Sequence, residues 1–139
     1  MATTKINKQT KEDRRLANIS LGFLILYISI MIIMSLIPGT DLQNTIVPTY
    51  SGILHFIEFM GLVFVASFTF ILFETKYLFT HLTILVIFMS SLTEGIQHFI
   101  PGRVSSSEDF LINLAGGFTL ISILILIVVI FYVYRRPSK

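Results

Sequence analysis

The sequence predicts an all-α membrane protein with four transmembrane helices, in which helices two to four form an outward-facing polar pocket. Three observations carry that expectation. The 139 residues are 54% hydrophobic with a mean hydropathy of +0.83, too apolar for a soluble domain of this size. Stretches without Asp, Glu, Lys or Arg at 16–40, 59–73, 77–93 and 110–134 mark four candidate spans in a single domain. The basic residues gather at the tails: Lys5, Lys8, Lys11, Arg14 and Arg15 before the first span, and Arg135, Arg136 and Lys139 after the last. Loops on the cytoplasmic side of a membrane are enriched in Lys and Arg, so both termini are expected in the cytoplasm, the protein lying in the plasma membrane.

The elements follow in order. Residues 1–15 read as a polar, mobile cytoplasmic tail whose positive charge suits an anionic inner leaflet. Span one, 16–37, is apolar throughout and reads as a retained, lipid-facing anchor rather than a cleaved signal. Pro38 and Gly39 end it, and the outer loop to Gly52 holds Asp41 but no Lys or Arg. Span two, 53–73, turns at Glu74, Thr75 and Lys76 into span three, 77–100, making a tight antiparallel hairpin. Pro101 and Gly102 end span three, a Ser-rich outer loop follows, and span four occupies 109–134. Tyr50 marks the outer interface, and Tyr77, Tyr132 and Tyr134 the inner one.

Depth arithmetic then brings distant polar groups together. At about 1.5 Å per residue, Glu58 stands about 24 Å from Glu74 along span two, and Glu94 about 26 Å from Tyr77 along span three. Asn113 stands about 33 Å from Arg135 on span four, so all three lie in the outermost turns. Within each span the polar residues share a face, because positions three or four apart on a helix are neighbours. His55 pairs with Glu58, Glu94 with Gln97 and His98, and Asp109 with Asn113. Below these stripes lie Ser90 and Ser91 on span three and Gly116 and Gly117 on span four, small residues that permit close helix approach. Ionisable groups are costly in a membrane, so their convergence marks a candidate site.

Arg103 is the sole Lys or Arg in either outer loop and opposes the charge gradient that orients the chain. It is expected to pair with Glu58, Glu94 or Asp109, or to hold a phosphate or carboxylate through its planar fork. The absence of cysteine excludes disulfides, thiol catalysis and thiolate metal sites. A pI near 9 does not point to nucleic acid, because the basic residues sit at the tails. His81 reads as an interfacial residue, the phenylalanines as lipid-facing or packing groups, and Ser105 to Ser107 as a solvated loop.

The sequence His55-Phe56-Ile57-Glu58, then Thr93-Glu94-Gly95-Ile96-Gln97, then Pro101-Gly102-Arg103, then Asp109 with Asn113 and Gly116, resembles the VanZ-like family of small membrane proteins. These motifs cover about half the chain, spans two to four. Ser51 and Gly52 replace the Asp-Lys pair frequent in the family, and Phe59 replaces a frequent Tyr. The resemblance implies that 16–139 is a four-helix membrane domain, linked in some members to lowered susceptibility to the lipoglycopeptide teicoplanin. It implies no established reaction.

The candidate pocket is therefore His55, Glu58, Glu94, Gln97, His98, Arg103, Asp109 and Asn113, with Glu94 and Arg103 central. Its expected ligand is an anionic or amphiphilic outer-leaflet molecule: a lipid-linked envelope precursor, a phospholipid or a lipoglycopeptide. An alternative is a hydrolase or transferase acting on a lipid-linked substrate, using a divalent metal on His55, Glu58, Glu94 and His98 or Glu58 and Glu94 as an acid and base pair. A third reading makes the polar groups helix ties alone. Transport of headgroups or protons would require more helices around a path than one copy supplies, hence a homo-oligomer.

Overall fold

The computed structural model describes residues 2–37, 51–103 and 105–135. These form four helices, α1 (Ala2–Leu36), α2 (Ser51–Leu72), α3 (Leu78–His98) and α4 (Ser107–Tyr134), with no strand among the described residues. Each contains a segment long and apolar enough to cross a membrane, as the sequence predicts. The expectations at Pro38, Gly39, Asp41 and Tyr50, and those at Arg136 and Lys139, lie outside the described residues.

Helix α1 begins at Ala2, so the polar N-terminal segment is helical and continuous with the first span. Its residues explain this: no Gly or Pro interrupts 2–21, and Lys, Gln, Glu and Arg are good helix formers. Nor is α1 a featureless anchor. Ala17, Ser20, Leu24, Met31 and Ser35 form a buried stripe at helical spacing, while Phe23, Ile25, Ile30 and Ile33 are exposed.

The α2–α3 turn is closed by backbone bonds from Thr75 N–H to Phe70 O (2.9 Å) and from Glu74 N–H to Ile71 O (3.0 Å). This paired closure requires a left-handed residue just past the helix, usually Gly. Here it is Glu74, at φ 51°, and Tyr77 at φ 65° opens α3. At the other end of α3, Pro101 and Gly102 occupy the centre of a turn closed by Arg103 N–H to Ile100 O (3.2 Å). Pro presets φ for the second position and Gly102 supplies φ 76° at the third, the combination that a type II turn demands.

Helix α2 touches all three others, while α1 packs on α2 and α3 without meeting α4 among the described residues. The core runs through Phe59, Leu62, Val63 and Ala66 of α2, Leu82, Val86 and Met89 of α3, Leu24 and Met31 of α1, and Ile121 of α4. At Gly116 the backbones of α4 and α2 come so near that an added Cβ would strike the carbonyl of Phe56. Gly117 sits beside Val86, whose methyl carbons would lie 2.6 and 2.7 Å from an added Cβ. The small residues beneath the polar stripe thus let α4 seat directly on α2 and α3. Among the described residues, Thr69 Oγ1 donating to Ser20 O (3.2 Å) and Tyr27 Oη donating to Glu58 O (2.8 Å) tie α1 to α2.

Candidate functional site

Alternating helix direction gathers the C-terminal ends of α1 and α3 and the N-terminal ends of α2 and α4 at one end of the bundle. Ser106 builds the start of α4: its hydroxyl accepts from Glu108 N–H (3.1 Å) and Asp109 N–H (3.4 Å), as a helix-capping serine does. Its own N–H donates to Glu94 Oε2 (3.1 Å). In a local capping box the third helical residue supplies that acceptor. In this protein a glutamate from the preceding helix takes the role.

The second carboxylate oxygen of Glu94 accepts from Asn113 Nδ2 at 3.5 Å. Both residues are buried, as is Gln97 one turn along, and Ser90 donates to Phe110 O (3.2 Å) just below. Asn113 is fully buried, and its Oδ1 has no hydrogen-bond partner. An unpaired carbonyl oxygen in a helix interface costs about 1–3 kcal/mol, a demand that a water or an incoming donor would meet.

Arg103 lies differently from expectation. Its Nε donates to Ile37 O (3.1 Å) and one terminal nitrogen to Met34 O (3.1 Å), so it closes the end of α1 and forms no ion pair among the described residues. The physical reason is that the last carbonyls of a helix lack intrahelical donors and carry the negative end of its dipole, which attracts a cation. From that position it still exerts a Coulombic influence on His55, Glu58 and Glu94. Asp109, an anion, acts on His55 and Glu94 with the opposite sign.

On α2, His55 Nδ1 and Glu58 Oε2 stand 3.8 Å apart and both side chains are partly exposed. This is too long for a hydrogen bond and becomes an ion pair when the imidazole is protonated. His98 does not join the cluster. It is exposed and meets Phe99 edge-on, with ring centroids 5.3 Å apart. Successive helical residues point about 100° apart, so the rotation that buries Gln97 turns His98 outward. Among the described residues no three His, Asp or Glu side chains assemble as a metal-ligand set.

The structure thus brings together His55, Glu58, Glu94, Arg103, Asp109 and Asn113, with Gln97 buried on the same helix face as Glu94. Two contributors escaped the sequence reading. Tyr27 holds α1 to the backbone of Glu58, and its signal was a phenol inside an otherwise apolar span, since a buried Tyr hydroxyl needs a partner. Ser106 was read as solvated loop, although a serine three residues before an acidic residue at a helix start is a capping signal.

These features define a small multi-pass α-helical membrane protein with a polar cluster at one end of its bundle. The chain belongs to the family described as VanZ/LLP1, which it matches over residues 3–132. That match extends beyond the motifs of spans two to four to include α1. Comparison with curated proteins and with solved structures gives no match.

Proposed function

We propose that this protein binds the polar head of an anionic or amphiphilic cell-envelope molecule at the polar end of its bundle. The carrying observation is a division of labour within the cluster. Glu94, Asn113 and Arg103 are engaged in holding helix ends together, whereas no helix-to-helix hydrogen bond among the described residues uses the side chains of His55, Glu58 or Asp109. A frame that orders three ionisable groups at a membrane surface is what headgroup recognition requires. The remaining N–H groups of Arg103, held in place by α1, supply a fork for phosphate or carboxylate. With both termini cytoplasmic this end faces the outer leaflet, where lipid-linked precursors, phospholipids and lipoglycopeptides present such groups. A contribution to envelope homeostasis or glycopeptide resistance follows from that ligand class.

A structural reading is favoured by the bonds of Arg103 and Glu94 to other helices, and one experiment separates the two. Arg103→Lys keeps the charge without the fork, and Arg103→Gln loses both. Headgroup binding predicts that both variants lose the wild-type effect in a glycopeptide-susceptibility or envelope-stress assay while folded protein persists. Under the structural reading, activity instead follows the amount of folded protein. Full activity in Arg103→Gln, in an assay that the wild type demonstrably alters, removes the binding proposal.

A further inference from the structure

We propose a second, independent lipid site at the opposite end of the bundle: the groove between α1 and α2 seats one acyl chain of an anionic phospholipid, with its phosphate on Lys11, Arg14 and Arg15. The groove has a volume of about 390 Å³, within the range of about 300–1,000 Å³ for ligand sites. Ile19, Phe23 and Ile30 line one wall, and Phe64 and Phe68 the other. From Leu16 to Ile30 it follows α1 for about 21 Å, more than the depth of one leaflet at about 15 Å, so it accommodates an extended chain.

Its two ends differ, and the difference selects a molecule with a charged head. Towards the polar site, the Tyr27 to Glu58 hydrogen bond joins the walls. At the other end Ile19 belongs both to the groove and to a hollow lined by Lys11, Arg14, Arg15 and Asn18, so the apolar and basic surfaces are continuous. Among the described residues no acidic side chain lines either surface. Asp13 and Glu74 border an adjoining hollow between α1 and the α2–α3 turn, which shares Arg14 and Asn18 with the basic one, while Lys11 and Arg15 face the basic hollow alone. Thr69 bonded to Ser20 O and Tyr27 bonded to Glu58 O pin the helices at two levels, so the walls are set before a lipid arrives. Guanidinium and ammonium groups above an acyl groove favour a net negative phospholipid over a zwitterionic one.

The chain contains no tryptophan, which allows a direct test. Phe23→Trp places a lone fluorophore in the groove about 12 Å along α1 from Arg15, at mid-acyl depth. Phe68→Trp reports from the opposite wall, and Phe88→Trp, on an exposed part of α3, serves as reference. Each full-length variant is placed in nanodiscs with phosphatidylglycerol or phosphatidylcholine carrying brominated acyl chains, and quenching is compared. The expected result is preferential quenching by the anionic lipid at both groove positions, by about fivefold, the factor that a single basic residue near an anionic surface supplies. The preference is absent at Phe88→Trp and disappears when Lys11, Arg14 and Arg15 are replaced by Gln. Equal preference at groove and reference positions, no preference anywhere, or a preference that survives the Gln substitutions in protein of unchanged helicity overturns the proposal. None of these changes touches the polar cluster, so the outcome is separate from the fate of the headgroup reading.

Discussion

Glu94 on α3 accepts the backbone N–H of Ser106, the residue whose hydroxyl caps α4, so one carboxylate joins the end of one helix to the start of the next. The two helices are covalently linked only through the turn at Pro101 and Gly102 and the residues after it. The carboxylate makes that linkage a defined angle.

Replacing Glu94 therefore acts first on stability. Glu94→Ala leaves the Ser106 N–H and the Asn113 amide without their acceptor and is expected to cost about 1–3 kcal/mol. Glu94→Gln keeps one acceptor oxygen for Ser106 but turns an amide N–H towards Asn113, so its loss is smaller. Thermal unfolding in detergent followed by circular dichroism checks the order; a Gln variant less stable than the Ala variant contradicts it.

Helix packing gives a second expectation. Gly116→Ala directs its Cβ at the Phe56 carbonyl, which cannot rotate away, and is expected to destabilise by about 1–3 kcal/mol. The atoms nearest an added Cβ at Gly117 all belong to the side chain of Val86. The cost of Gly117→Ala is relieved by a compensating Val86→Ala, whereas no side-chain truncation at Phe56 rescues Gly116→Ala. Rescue of both would show that the α2–α4 backbone contact is looser than described.

The Tyr27 tie is open to a double-mutant cycle. Tyr27→Phe removes one hydrogen bond and is expected to cost about 0.5–1.5 kcal/mol, towards the lower end because the Glu58 carbonyl keeps its place in the helix ladder. Gly61→Ala collides with the Tyr27 hydroxyl and breaks the same bond by displacement. The two losses are therefore less than additive, since Gly61→Ala costs less once the hydroxyl is gone. Strict additivity would mean that Gly61 acts on something other than Tyr27.

Orientation is testable because the chain has no cysteine. A single Ser105→Cys is expected to react with a membrane-impermeant maleimide in intact cells, and Thr75→Cys only after permeabilisation. The reverse pattern puts the polar cluster in the cytoplasm and rules out an outer-leaflet ligand.

Much of this architecture was readable from spacing alone. Depth is counted at a fixed rise per residue, and helical period assigns faces, so the approach of Glu94, Asp109 and Asn113 followed from position in the chain. Gly116 and Gly117 were legible for the same reason. The partner of Arg103 was not, because a sequence advertises carboxylates but not the unpaired carbonyls of a helix end, which any residue type can carry. The side of His98 is not legible because positions three and four beyond Glu94 both count as neighbours, although they diverge by about 100° and the packing here buries Gln97 while leaving His98 exposed. The extent of α1 was hidden by polarity, since a charged segment of good helix formers reads as a tail until an adjoining span supplies the nucleated helix it extends.

The bond from Arg103 to Met34 and Ile37 also imposes an order on biogenesis. Its donor is synthesised 66 and 69 residues after the carbonyls it serves. At about 5–20 residues per second, that delay is about 3–14 s. Throughout it, the end of α1 must borrow its donors from water, so the newborn span has to rest with that end in the hydrated headgroup layer. Arrival of the turn that follows α3 then exchanges water for guanidinium, so the end of α1 is secured later than its middle, which Thr69 and Tyr27 tie to α2.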